Sequence, residues 1–354
     1  MSYFDKDAPF DELPLLPPGC DLESPEIMRA CIKASRSLSE LQGLMETIPD
    51  KRILLELLPM QESESSSAIE NIISSKKRLF LASSGKIDSN DRFEREILGY
   101  NRALVSTSKE IPDLKTIKKI CSIIRDEDVD FRQPGDEPVA LFAVGSNNVI
   151  YTPPSGEAVQ KLMRNLQEYI FTDDEIDPLI KMAVIHYQFE AIHPFFDGNG
   201  RTGRLLNVVY LQYAKLLRYP ILFLSGYIID NKKCYYDLLR SVTTDEDWTQ
   251  WILFMLDAVD KTSNDTIHQI RQIVDLIKEY KNECYNNSIP EKCIDVVFGN
   301  PFCTISTLQE QLGCSRPSAN KYLRSLESMG LLQSSKNKNM VIYENVKLTQ
   351  VFTK

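Results

Sequence analysis

The run His193-Pro194-Phe195-Phe196-Asp197-Gly198-Asn199-Gly200-Arg201-Thr202-Gly203-Arg204 gathers a titratable base, a carboxylate, a glycine-bracketed turn and two arginines. Each residue type has a chemical use. His193 titrates near neutrality and suits the acceptance of a hydroxyl proton. Asp197 suits Mg2+, which takes one or two carboxylates and fills its other positions with phosphate and water. Gly198-Asn199-Gly200 precedes an apolar helical pattern from Leu205 onward, so its free backbone N–H groups lie at a helix start, where the dipole also favours phosphate. A side chain at Gly198 or Gly200 would obstruct that approach. Arg201 and Arg204 stand three apart and share a helix face, from which both guanidinium forks can reach one polyphosphate. The chemistry these groups suit is displacement at a phosphoryl centre, in which the protein positions reactants and neutralises charge. Phe195 is expected to anchor the loop in the core, and His186 and His268 are expected to be structural.

Mostly helices must hold these groups. Ile27, Cys31, Ala34, Leu38, Leu41 and Met45 recur at spacings of three and four, which predicts an amphipathic helix, followed by a second short one to Leu58. Further helical patterns cover 62–79, 93–104, 114–124, 158–171, 176–192 and 248–280. One segment departs from this: Pro138 to Tyr151 has β-branched and aromatic residues on both sides of Gly145-Ser146-Asn147-Asn148, the pattern of a hairpin. After Asn286-Asn287-Ser288, three short helices and an Asn/Lys-rich turn at 336–339 predict a helix-turn-helix with a wing. Residues 1–24, rich in Pro and Asp, read as an arm laid on the surface. The expected fold class is mainly α, with units at 1–90, 91–285 and 286–354.

Composition bounds the setting. With 43% apolar and 26% charged residues the chain is globular rather than disordered. A net charge of -9 argues against coating nucleic acid or anionic membrane along its whole length. The eight cysteines lack zinc spacing and are expected as buried thiols. No signal segment or membrane span is legible, so a cytoplasmic location is expected.

The signature run resembles that of the Fic (Fic/DOC) family, His-x-Phe-x-Asp/Glu-Gly-Asn-Gly-Arg-x-x-Arg, with every defining position matched. The resemblance extends over most of the chain and implies a Fic helical core with a β-hairpin flap, a helical N-terminal subdomain and a C-terminal winged helix. It implies a protein adenylyltransferase: His193 takes the proton of a Ser, Thr or Tyr hydroxyl on a target protein, the oxygen attacks the α-phosphate of ATP, and pyrophosphate leaves. ATP would then lie against Gly198, Asn199, Gly200, Arg201, Thr202, Gly203 and Arg204, with Mg2+ on Asp197 and Asn231, with Tyr235 or Tyr236, near the base. The target would lie along the flap at about Val144 to Ile150 by strand addition. Ser66-Ser67-Ala68-Ile69-Glu70-Asn71 matches the family's inhibitory pattern Ser/Thr-x-x-x-Glu-Gly/Asn. Glu70, with Ser66 on the same helical face, would pair with Arg204 and hold the enzyme low. The same carboxylate could orient a water for AMP removal. Such architectures are compatible with a homodimer.

From Pro301 onward seven Lys or Arg stand against three Asp or Glu, reversing the sign of the whole chain. Arg316, Asn320, Lys321 and Arg324 are expected on an exposed helix face, with Lys336 and Lys338 on the wing. An alternative function is therefore a DNA-binding regulator whose Fic core senses nucleotide. A Fic enzyme with a different donor is another.

Overall fold

The computed structural model describes residues 4–48, 51–83, 91–142, 147–337 and 340–352. Fifteen helices and five short strands are seen among them. The N-terminal arm is pinned rather than loosely laid. Phe10, Leu13, Leu16 and Leu22 are buried, and Asn165 bonds both backbone groups of Leu16, at 2.8 and 3.0 Å.

Helix α1 (Pro25–Thr47) buries the predicted stripe. It lies along α11 (Trp248–Asn286), the 39-residue helix that forms the spine of the molecule. Lys33–Asp260 at 2.7 Å and Arg271–Glu40 at 2.9 Å tie the two at their margins. Next comes α2 (Arg52–Ile69), which runs unbroken through Pro59, where the sequence pattern suggested one helix ending at Leu58 and another over 62–79. The break falls instead at 70–75, where Asn71 adopts a left-handed φ of 61°. Helix α3 (Lys76–Ser83) follows it.

Helices α4 (Arg92–Thr107), α5 (Leu114–Arg125), α6 (Gly156–Phe171), α7 (Pro178–Ile192) and α8 (Asn199–Tyr213) form the central bundle. Nearly every residue of α7 is buried, so this helix is the centre of the core rather than a surface element. The hairpin pairs β1 (Leu141–Phe142) with β2 (Val149–Tyr151), Leu141 opposite Tyr151. Two helices not foreseen as such, α9 (Ser225–Asp230) and α10 (Lys232–Asp245), cover α2 and α7.

The C-terminal unit runs α12 (Lys292–Gly299), β3 (Phe302–Thr304), α13 (Ile305–Leu312), α14 (Arg316–Ser328), β4 (Gln333–Asn337), β5 (Met340–Glu344) and α15 (Val346–Val351). Its sheet order is β3-β5-β4, all antiparallel. Strand β3 and helix α15 were not foreseen. Tyr280 of α11 joins the unit to the spine, its hydroxyl lying 2.9 Å from the Leu331 carbonyl and 3.0 Å from the Asn345 side-chain oxygen and sharing its one proton between them. The unit also packs on α2 and α3: Phe80 meets Phe302, and Lys76 donates to the Phe352 carbonyl at 2.6 Å. One buried apolar cluster runs from Phe10 to Phe352. Cys31, Cys121, Cys284, Cys293 and Cys303 are buried as expected, but Cys20 and Cys234 are exposed and Cys314 is half-buried.

Candidate active site

The signature run is the corner between α7 and α8. Helix α7 ends when His193 turns left-handed, at φ 50° and ψ 59°, with its N–H bonded to the Phe189 carbonyl at 3.0 Å. Helix α8 begins after Gly198, also left-handed at φ 87°. Between them Phe195 inserts into the core beside Phe131 and Phe189, and Phe196 stays exposed. Asn199 closes the corner: its side chain accepts from the Phe195 N–H at 2.9 Å and donates to the Phe195 carbonyl at 2.8 Å. The Asn199 side chain is therefore a brace of the corner.

A cavity of about 400 Å3 opens at this corner, lined by His193, Asp197, Gly198, Gly200, Arg201 and Glu70 among others. It brings the base, the carboxylate, the first turn of α8 and the C-terminal end of α2 together. Gly200 shows how close the last two are: a Cβ there would lie 2.4 Å from Glu70 Oε1 and 2.9 Å from Arg204 Nη1. The Glu70 carboxylate thus sits over the helix start, where backbone N–H groups and the dipole favour an anion.

Arg204 is buried and held by α2 through three bonds. Its Nε donates to the Ser66 hydroxyl at 3.0 Å, and Nη2 donates to the Ser66 carbonyl and to Glu70 Oε1, each at 2.9 Å. Burial alone would push the Glu70 carboxyl up, but Arg204, helped by Arg201 and His193, outweighs it and holds the group below its ordinary range. Two more carboxyls face Arg204 without pairing directly. Glu62 and Glu190 are both raised by burial to about 7, with the Arg204 charge opposing the rise. Glu62 also accepts from Tyr100 at 3.0 Å and from Ser225.

The two arginines do not converge as their spacing suggested. Arg201 Nη1 donates to Glu96 Oε2 of α4 at 2.6 Å, while Arg204 turns to α2. Asp197 is ion-paired with Arg125 at the end of α5, lies 3.6 Å from Arg201 Nη2 and accepts from the Gly198 N–H at 2.6 Å. Thr202 and Gly203 face the core instead of the cavity. A Cβ on Gly203 would lie 2.3 Å from Glu190 Oε1 and 2.9 Å from the Phe189 ring, so this glycine is what lets α7 and α8 approach. Arg125, Glu96 and Glu190 carry no local sequence signal, being ordinary helix-surface residue types.

His193 is held neutral: burial of the ring lowers its proton affinity to about 4, with Arg132 adding to the effect and the Glu190 carbonyl, Glu70 and Asp197 opposing it. His186 is a core residue, bonded to the Tyr235 hydroxyl at 2.9 Å and stacked on Trp251, whereas His268 is exposed on α11. Asn231 does not reach the His193 cavity. It donates to the Tyr227 carbonyl at 2.9 Å and lines a separate hollow with Lys233 and Asp237. Tyr235 is buried in the core, and Tyr236 is half-exposed within the electrostatic reach of Glu70 and Arg204. Lys232, beside Asn231, holds the end of α2 by donating to the Ile69 carbonyl at 2.5 Å.

Asp197 fits a magnesium site of the kind that borrows phosphate ligands: it is a single half-exposed carboxylate on the cavity, and no group of three or more His, Cys, Asp or Glu suited to an all-protein cage occurs among the described residues. Of the flap segment, Ala143 to Ser146 lie outside the described residues, as does Lys338. Asn147 and Asn148 precede β2, to which Val149 and Ile150 belong, and Phe142 and Ile150 are exposed. No helix among the described residues is long and apolar enough to cross a membrane.

Three family models match the chain: Fic/DOC family N-terminal over 28–108, Fic/DOC family over 95–211, and the C-terminal domain of SoFic-like protein adenylyltransferases over 270–348. A probable protein adenylyltransferase of Aquifex aeolicus is 40% identical over 67 residues, covering 19% of this chain and 21% of that protein. The protein adenylyltransferase Fic of Aedes aegypti is 29% identical over 174 residues, 47% of this chain and 33% of that one. The chain thus spans a third or less of the length of these curated relatives. Among solved structures, a Fic family protein from Desulfovibrio desulfuricans shares the fold with a TM-score of 0.62 and 21% identity, covering 93% of this chain and 98% of that one. Fic-1 of Caenorhabditis elegans aligns with a TM-score of 0.52 and 20% identity over 70% of this chain and 75% of that one.

Proposed function

Because the chain belongs to the Fic/DOC family, we propose that it is a protein adenylyltransferase that transfers AMP from ATP to a Ser, Thr or Tyr hydroxyl and is held low by its own Glu70. The observation that carries this reading is the Glu70 carboxylate on Arg204, directly over the first turn of α8 and in one cavity with His193.

The nucleotide's phosphates take the α8 N-terminus once Glu70 swings away. The freed Arg204 guanidinium then meets the terminal phosphate, and the amides of the first turn meet the others. A bound Mg2+ on Asp197 would neutralise phosphate charge, and Arg125 must release that carboxylate for it. Neutral His193 accepts the proton of the target hydroxyl as its oxygen attacks the α-phosphorus, and pyrophosphate departs opposite. The low proton affinity of His193 belongs to the nucleotide-free site. The negative polyphosphate raises it toward the working pH, where a base is most effective. The target backbone adds to the hairpin edge beside the cavity. The exposed and buried thiols suit a reducing cytoplasm.

The test uses full-length Glu70→Gly with Mg2+ and ATP labelled at the α- or the γ-phosphate. Label retained on protein from α alone supports the reading; γ-label on protein would overturn it in favour of phosphoryl transfer. A second role rests on α14, where Arg316, Lys321 and Arg324 are exposed, with Lys336 on β4. We propose that this face binds duplex DNA weakly. Affinity that falls steeply with salt and is lost in Arg316→Ala/Arg324→Ala supports it, and salt-independent or absent binding sinks it.

A further inference from the structure

Arg132 lies in the loop between α5 and β1 and is 1% exposed, yet no carboxylate pairs with it among the described residues. Its partners are main-chain carbonyls. Nη2 donates to Pro154 at 2.7 Å, His193 at 2.9 Å and Ile192 at 3.1 Å, and Nε donates to His193 at 3.1 Å. Its own backbone N–H donates to the Pro194 carbonyl at 2.8 Å. Three consecutive carbonyls, 192 to 194, therefore end on one residue. They belong to the last turn of α7 and the corner after it, where helix carbonyls lack intrahelical partners and the dipole is negative.

We propose that Arg132 is a positioning residue for adenylyl transfer, fixing the left-handed turn that aims the His193 ring into the cavity. The inference rests on the reading of His193 as the base. Two physical facts require such a residue. A left-handed conformation at a non-glycine residue is unfavourable and persists only where surroundings impose it. A buried guanidinium without a counter-ion is also costly unless its donors are satisfied; here the carbonyls satisfy them and the charge remains uncancelled beside the ring. The other charged groups facing His193 are Glu70 at the end of α2 and Asp197 in the corner, both of which favour the protonated ring, as does the Glu190 carbonyl. Arg132 is the cation that opposes them.

The experiment compares wild type, Arg132→Met and Arg132→Lys, each also in the Glu70→Gly background. The imidazole signal of His193 is titrated by NMR in nucleotide-free protein, assigned with His193→Gln, and the pH dependence of modification is measured in parallel. Removing the cation should move the His193 midpoint upward by about one pH unit and lower kcat at least a hundredfold. Arg132→Lys should hold the midpoint within a few tenths of wild type and still lose about tenfold in kcat with KM unchanged, because lysine lacks the planar fork with which Nε and Nη2 together grip the His193 carbonyl. A folded Arg132→Met with unchanged midpoint and rate overturns the proposal. Should Arg132→Met not fold, Arg132→Lys decides alone: a KM increase with wild-type kcat overturns it. Absence of transfer in every variant would remove the adenylyl-transfer reading, while the NMR midpoint would still judge what Arg132 does to His193.

Discussion

Replacing Glu70 with glycine removes one of the three bonds that hold Arg204 to α2 and leaves the two to Ser66 intact. A hydrogen bond to a charged group contributes about 1.5–3 kcal/mol. The Glu70 side chain is 35% exposed, so solvent screening places this one in the lower half of that range, about 2 kcal/mol. At about 1.4 kcal/mol per decade, a phosphate competing for Arg204 and the α8 start gains about thirtyfold. Glu70→Gly should therefore modify protein about thirty times faster than wild type at sub-saturating ATP. Ser66→Ala, which removes the bond from the same guanidinium to an uncharged hydroxyl, should gain about tenfold, near 1.5 kcal/mol at the low end of that range. Glu70→Gln keeps the shape and a neutral bond, and should fall between them. The assay is intact-protein mass spectrometry after incubation with Mg2+ and ATP, following an addition of roughly 329 Da, as expected when an adenylyl group is transferred and pyrophosphate departs. Glu70→Gly/His193→Ala serves as the blank. A Glu70→Gly rate within twofold of wild type, with ATP bound equally by both, would refute the claim that this carboxylate restrains the site.

Three further outcomes follow from the packing. His186 is held down to about 3 by burial, with Arg204 contributing, so the unfolded chain takes up a proton that the folded one refuses. The stability it contributes is complete above its unfolded value near 6.5 and declines as pH falls toward the folded value, at about 1.4 kcal/mol per pH unit; His186→Gln should flatten by about that amount the fall of the unfolding free energy measured in urea between pH 6.5 and 4, and an identical slope would count against it. Gly203→Ala places a methyl against Glu190 and Phe189 and should destabilise by about 1–3 kcal/mol in urea unfolding, with a loss of His193 alignment visible as reduced kcat. Tyr280→Phe removes the hydroxyl between the Leu331 carbonyl and Asn345 in the C-terminal unit and should cost about 1–2 kcal/mol, measured as a shift of the urea midpoint with unchanged m-value.

The corner that carries the chemistry was legible because its requirements are local. A glycine on each side of Asn199 at a helix start, and a base and a metal-suited carboxylate four residues apart, are all set over a dozen positions. The helices around it were legible for the same reason, since period 3.6 records which face is buried. The reading split α2 at Leu58, whereas the helix continues through Pro59 because α4, α9 and α12 pack on it and hold the chain across the proline.

What the sequence by itself determined, then, is which candidate groups share the α7–α8 corner and the presence of Glu70 and Ser66 one turn apart. Their pairing with Arg204 across 134 and 138 positions was decided by the tertiary structure, as were the capture of Arg201 by Glu96, of Asp197 by Arg125, and of the His193 turn by Arg132. The reason is physical. Hydrogen bonds and ion pairs leave no periodic trace in a sequence, and an arginine's partner is set by which buried carboxylate or carbonyl the packed helices bring within about 3 Å.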